Sequence, residues 1–233
     1  MFLRRLVLVF AIVFTGSLAL AAAAVAAGGL GPGKYTFDSS SANAFFGMGK
    51  KGGPPSASWS VSVNHGLNSF KPKDAPHVVN NSTIVYVTEW DATGNGGFGC
   101  FVVPDSDFTV ARNLSSASLH ATLTADEACP GFATPVGGSK SAFAGGNSGL
   151  VLPITVDVTW TATGAVTTYD DSFSLQCLSY NESGSSSNQS TGANATGAIS
   201  VLPGQFAGEF GNVNTTQGKL DIKGVPPSAC FGY

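Results

Sequence analysis

The sequence predicts an all-β fold: an antiparallel β-sandwich of about ten strands, with a closed β-barrel as the alternative. Three observations carry this reading. Apolar and polar residues alternate with period two in segment after segment, as in Trp59, Val61 and Val63 against Ser58, Ser60 and Ser62. Only 11% of the 233 residues are charged, against about one quarter in an ordinary chain, whereas Gly, Ser, Thr and Asn supply 89 positions. Those are residues of turns and half-exposed strands. Past the N-terminal segment, no long window keeps a helical period. Strands with one apolar face each must bury it against another layer, and two packed antiparallel sheets are the economical way to do so.

Residues 1–26 read as a signal peptide. Arg4 and Arg5 give a positive start, Leu6 to Phe14 is an unbroken apolar run, and Ala24-Val25-Ala26 fits the small-residue cleavage pattern. The mature chain is therefore expected to be secreted, extracellular and without a stable membrane span. Residues 27–56 read as a loosely structured segment with one strand at 35–38. Residues 57–233 read as the β-sandwich domain.

Within that domain the first alternating strand covers 57–64, and 83–90 is apolar on both sides, as a strand flanked by neighbours would be. Further strands are expected at 98–103, 107–110, 118–124, 154–161, 171–178, 197–201, 205–212 and 217–222. Glycine and proline mark the joints: Thr93-Gly94-Asn95-Gly96-Gly97 reads as a hairpin loop, Pro104-Asp105 ends a strand, and Thr163-Gly164 turns the chain after Trp160. Residues 124–129 suit a single helical turn. Two connections are long, 130–149 and 179–196. The second is rich in Ser, Asn and Gly, has almost no apolar residue to anchor it, and is expected to be disordered.

Cys100, Cys129, Cys177 and Cys230 form an even set with no C-x-x-C spacing, which in an exported chain points to two disulfides. Of the three possible connectivities, Cys100–Cys129 with Cys177–Cys230 is favoured. The first closes a local excursion and the second ties the chain end to a strand.

Charge is uneven. Residues 34–74 hold five lysines against two aspartates, whereas 75–182 hold ten acids against Arg112 and Lys140. Without clustered Lys and Arg along the chain, nucleic acid is not an expected partner.

Catalytic motifs are sparse. Gly146-Asn147-Ser148-Gly149 is similar to the Gly-Asp-Ser-Gly of trypsin-like proteases, and His65 or His77 with Asp91 or Asp105 would complete the chain order of a triad. The residues around each histidine do not follow that family, so a glycine-rich loop is the reading kept and no catalytic residue is assigned. Asp91-Ala92-Thr93-Gly94-Asn95-Gly96 resembles the start of a calcium loop, but Val102 stands where the bidentate Glu belongs. His65, His77 and His120 lack ligand spacing. No metal and no cofactor are expected. Glu89 and Asp157 read as outward-facing strand residues rather than a catalytic pair.

Trp59 and Trp160 alternate in phase with Val and Ile and are expected in the core. Trp90 ends a strand beside Asp91 and the glycine loop, and shares a strand face with Tyr86. An aromatic at a strand end beside an acid suits sugar or peptide contact, so Tyr86, Trp90, Asp91 and Asn95 are the candidate binding residues.

The stretch Val156-Asp157-Val158-Thr159-Trp160-Thr161-Ala162-Thr163-Gly164 resembles one in secreted β-rich proteins of Gram-positive, actinomycete-like bacteria, a group without an assigned activity. The resemblance implies an exported bacterial protein. The expected function is a non-enzymatic binding or interaction module at or outside the cell surface, its partner a glycan or a protein. A secreted hydrolase and a structural or assembly subunit are the alternatives.

Overall fold

The computed structural model describes residues 31–48, 57–91, 96–129, 150–202 and 205–225. The predicted signal peptide, most of the glycine loop with Asn95, the 130–149 connection with Ser148, and Cys230 lie outside the described residues.

Ten strands follow in order: β1 (Gly33–Met48), β2 (Ala57–Pro72), β3 (Val78–Asp91), β4 (Phe98–Val103), β5 (Phe108–Val110), β6 (Ser116–Leu123), β7 (Ile154–Ala162), β8 (Thr167–Cys177), β9 (Tyr180–Ile199) and β10 (Phe206–Lys223). They form one antiparallel sheet in the order β4-β3-β2-β1-β10-β9-β7-β6-β5, with β8 paired to β9. The all-β, antiparallel, ten-strand prediction holds. The layers that face each other across the core belong to one continuous sheet, curled into a half-barrel over its own apolar face.

The curl follows from the inward residues. One cluster joins Phe46 of β1, Trp59 of β2, Val85 of β3, Phe101 of β4, Leu119 of β6 and Trp160 of β7, all at most 3% exposed. Each such burial is worth about 1.5–3 kcal/mol, which a flat sheet would forgo. Trp160 lies over Gly211, and its Nε1 donates to the Asn43 carbonyl oxygen at 2.6 Å. A Cβ at position 211 would stand 2.4 Å from that same oxygen, so glycine lets the ring cross.

The ends of the sheet are adjacent in the chain. After β4 a 3-10 turn at Asp105–Asp107 leads into β5, and Cys100 of β4 is bonded to Cys129 beyond β6. Phe101 also pairs with Ala128 in an isolated bridge. Between them, Ala125–Glu127 forms the predicted single turn, closed by a capping box between Thr124 and Glu127. The Cys100–Cys129 pairing is as expected. Cys177 is also disulfide-bonded.

Three expectations are corrected. Residues 179–196, expected to be disordered, lie almost entirely in β9, the longest strand. Its first half pairs with β8 and β10 and its second half with β7 and β10. A strand paired on both sides is held by its backbone, and small polar side chains suffice on it. Residues 27–56 were expected to precede the domain, but β1 is a central strand, paired with β2 from Gly33 to Met48 and with β10 on its other edge. The strands expected at 205–212 and 217–222 are one strand, β10, because the polar run between them continues the ladder with β9 and β1.

Candidate functional site

The long strands change the side on which they are apolar. In β1 the even positions Ala42, Ala44 and Phe46 are buried in the main core, whereas nearer its start the odd position Tyr35 is buried on the opposite face. β10 does the same, from Val213 to Leu220 and Ile222, and β9 from Ala193 and Ala195 to Tyr180. The switch falls in Ser39-Ser40-Ser41 and in the Gly/Ser/Asn run of β9. Beyond it the apolar side of the sheet is convex and the concave side is polar.

The convex side carries Tyr35, Tyr180, Leu220 and Ile222, with Phe70 packed edge-on against Tyr35 at 5.7 Å. Glu182 is buried among them at 2% exposure. Its Oε2 accepts from the Tyr180 hydroxyl, while Oε1 has no hydrogen-bond partner among the described residues. Burial, then the bond to Glu182 and its charge, push the Tyr180 phenol well above its ordinary range.

The concave side can be read row by row from the strand register. The row next to the core runs Gln189, Thr215, Ser40, His65 and Thr83. Above it run Asp170, Ser187, Gln217 and Asp38, then Ser172, Ser185, Lys219 and Thr36. Asp38 apart, the residues of these two upper rows line an open trough of about 720 Å³ beside β8. Gln217 Nε2 donates to Asp38 Oδ2, its ladder partner on β1, at 3.1 Å. The rim row holds Ser183, Asp221, Lys34 and Lys71.

The floor of this concavity is ordered by a hydrogen-bond network. Thr83, fully buried, donates from Oγ1 to Asp105 Oδ1 at 2.7 Å, and His65 Nδ1 stands 2.9 Å from the same Oγ1. Asn81 Nδ2 donates to the other carboxylate oxygen of Asp105, and His65 Nδ1 is 3.4 Å from Oδ1. Because the threonine spends its proton on the carboxylate, its oxygen is placed to accept from His65 Nδ1. The sequence named His65 and Asp105 together among several triad combinations, and the fold joins this pair. The hydroxyl between them is sealed in the core and serves to orient, not to attack.

His77 Nε2 meets Ser69 Oγ at 2.7 Å on the exposed surface, and His120 Nδ1 pairs with Asp157 Oδ1 at 2.8 Å on the outside of β6 and β7. Asp157 is outward-facing, as expected. Glu89 is not: it stands opposite Trp59 in the ladder, on the inward side, because the odd positions of β3 point to the core.

The four binding candidates do not converge on the trough. Tyr86 lies on the convex face of β3, half-buried and stacked on Phe98 with ring centroids 6.0 Å apart, and burial raises its phenol. Trp90 shares that face and is half-buried. Asp91 is the last residue of β3, opposite Ala57. Asn95 lies outside the described residues. The trough was missed because its residues are ordinary Ser, Thr, Gln, Asp and Lys. The signal that could have found it was the inversion of alternation within the 33–48 and 206–223 segments.

No protein-family model matches the chain, and no curated protein matches it. Among solved structures it is similar to the solid-state NMR structure of the outer membrane protein AlkL in DMPC lipid bilayers, at 11% identity over 85% of this chain and 94% of that one. The TM-score is 0.19, too low to relate the two folds.

Proposed function

We propose that the protein is an exported, non-enzymatic binding module that acts at or outside the cell surface and takes a polyhydroxylated ligand, a cell-surface glycan, in its concave trough. The observation that carries this is the trough wall itself. Hydroxyl and carboxamide side chains of Thr36, Ser172, Ser185, Ser187 and Gln217 stand side by side over adjacent strands, in an open cleft lined also by Asp170, Asp171 and Lys219. Such groups donate and accept at once and match sugar hydroxyls better than they match apolar ligands. The signal-peptide pattern and the likeness of residues 156–164 to secreted bacterial proteins support export.

Screening against cell-wall polymers and glycans by calorimetry tests the reading. Binding that weakens at least tenfold in a Ser185→Leu, Gln217→Leu double variant of unchanged fold supports it. Absence of binding to every glycan refutes it.

A hydrolase reading draws on one observation, the His65 imidazole anchored through Nδ1 and standing beside Ser40 in the same row. Hydrolysis of a glycan or peptide substrate that disappears in His65→Gln would favour it. Unchanged turnover in that variant would end it.

A further inference from the structure

β8 pairs with β9 on one side, and among the described residues no strand pairs with its other side. Every residue from Thr167 to Gln176 is exposed. That outer edge presents a row of backbone N–H and C=O groups to which a further strand can add. The edge also carries large apolar side chains. Tyr169, Phe173 and Leu175 are 65%, 50% and 37% exposed, and as odd positions they share the convex face, in the rows of Leu220 and Ile222. The even positions Asp170 and Ser172 line the trough on the concave face. A free ladder edge with alternating aromatic residues is the geometry of strand addition.

The strand that fits this edge is β8 itself. Opposed residues of an antiparallel ladder stand on the same face, so a twofold axis through a residue pairs odd with odd positions and keeps both apolar faces on one side. The acids choose among such axes. An axis at Asp170 or at Asp171 puts two carboxylates directly opposite, and like charges so placed repel. An axis at Ser172 leaves the two Asp171 side chains diagonal to each other, about 7–8 Å apart. An axis at Phe173 sets Asp171 opposite Leu175, Asp170 opposite Gln176 and Ser172 opposite Ser174. The two Asp171 carboxylates then stand about 13 Å apart along the ladder, beyond the roughly 8 Å screening length of physiological salt. Phe173 faces its own copy, and aromatic pairs across a ladder are stabilising. An axis at Ser174 would leave Tyr169 and Asp170 outside the ladder.

We infer that the protein forms a twofold dimer by antiparallel pairing of β8 with β8 of a second copy, centred on Phe173. The interface is the same patch on both copies and closes on itself. Even positions meet even positions, so Ser174 and Gln176 of the second copy stand opposite Ser172 and Asp170 and continue the trough wall across the axis. The dimer is independent of what the trough binds.

Sedimentation velocity of the full mature chain over a concentration series, with two variants, tests the pairing. The wild type is expected to pass from monomer to dimer mass and no further. Phe173→Lys, with unchanged circular dichroism and melting temperature, should weaken the dimer at least about tenfold, because it exchanges an aromatic pair for two facing charges. Phe173→Cys tests the axis without a new charge. Directly opposed Cα atoms, about 4.5–5.5 Å apart, are within disulfide reach, so this variant should crosslink to a covalent dimer, whereas Asp171→Cys on the same face should not. A wild type that stays monomeric, a mass that keeps growing with concentration, a dimer as tight in Phe173→Lys, or crosslinking through Asp171→Cys in place of Phe173→Cys would each overturn the inference. A monomer whose β8 amides gain exchange protection only from an alternating Lys-Val peptide would overturn it in favour of a foreign strand. None of these outcomes touches the glycan reading, which the calorimetric screen decides.

Discussion

Replacing Cys100 and Cys129 by alanine should destabilise the protein by about 3–4 kcal/mol. The bridge closes a loop of sequence separation 29. Loop-closure entropy for that length, about 12 cal/mol/K, gives roughly 3.6 kcal/mol at 25 °C. For a domain of this size, that corresponds to a fall in melting temperature of about 7–14 °C. The loss should also be local, because the bridge and the Phe101–Ala128 pairing tie β4, one end of the sheet, to the chain beyond β6 near the other end. Urea unfolding of the double variant measures the first quantity, and amide exchange measures the second. Substitution is needed in place of reduction, because Cys177 is disulfide-bonded too. Protection should fall most in Phe98–Val103 and least in β1 and β10, which are paired on both edges. A loss under about 1 kcal/mol, or an evenly spread change in exchange, would refute the view that the bridge seals the curl.

Three further outcomes are expected. Gly197→Ala should cost at least about 2 kcal/mol in a thermal or urea melt, since φ is +149° and a Cβ would stand 1.9 Å from the Asp157 carbonyl oxygen, a backbone atom that cannot swing away. Tyr180→Phe should cost about 1–3 kcal/mol by leaving the buried Glu182 carboxyl without its donor, whereas adding Glu182→Leu should restore most of the loss; a double variant no better than the single would contradict this. Tyr35, Tyr86 and Tyr180 should ionise above pH 10 in an ultraviolet titration of the folded protein. Their folded pKa values lie above the unfolded one, so their stabilising contribution is full below pH 10 and is lost as pH rises through the folded values. Stability that rises between pH 10 and 12 would reverse the sign and refute it.

Much of the fold was legible because a half-buried strand writes its burial into the sequence as period two. Trp59, Val61 and Val63, or Ile154, Val156, Val158 and Trp160, name their own faces, and the structure buries all of them. The Cys100–Cys129 bridge was legible from its spacing. The β9 strand was not, because Gly184 to Gln189 has no apolar member to mark a face. Its order comes from ladders on both edges, and a ladder depends on neighbours distant in the chain. The same holds for the candidate site. His65 and Asp105 are 40 residues apart and meet only because β2, β3 and the turn after β4 are adjacent in the sheet.

The sequence by itself determined the class of fold, the inward residues of most strands and one disulfide, all properties that local patterning and loop length express. Only the tertiary structure decided that the layers are one curled sheet. It also decided that the long strands turn their polar side inward past the serine runs, and that Lys34 of β1, Lys71 of β2 and Asp221 of β10 share one rim. The reason is physical. Alternation fixes which residues share a face of a strand, but the side of the sheet on which that face lies, and what stands beside it, are set by register and curl.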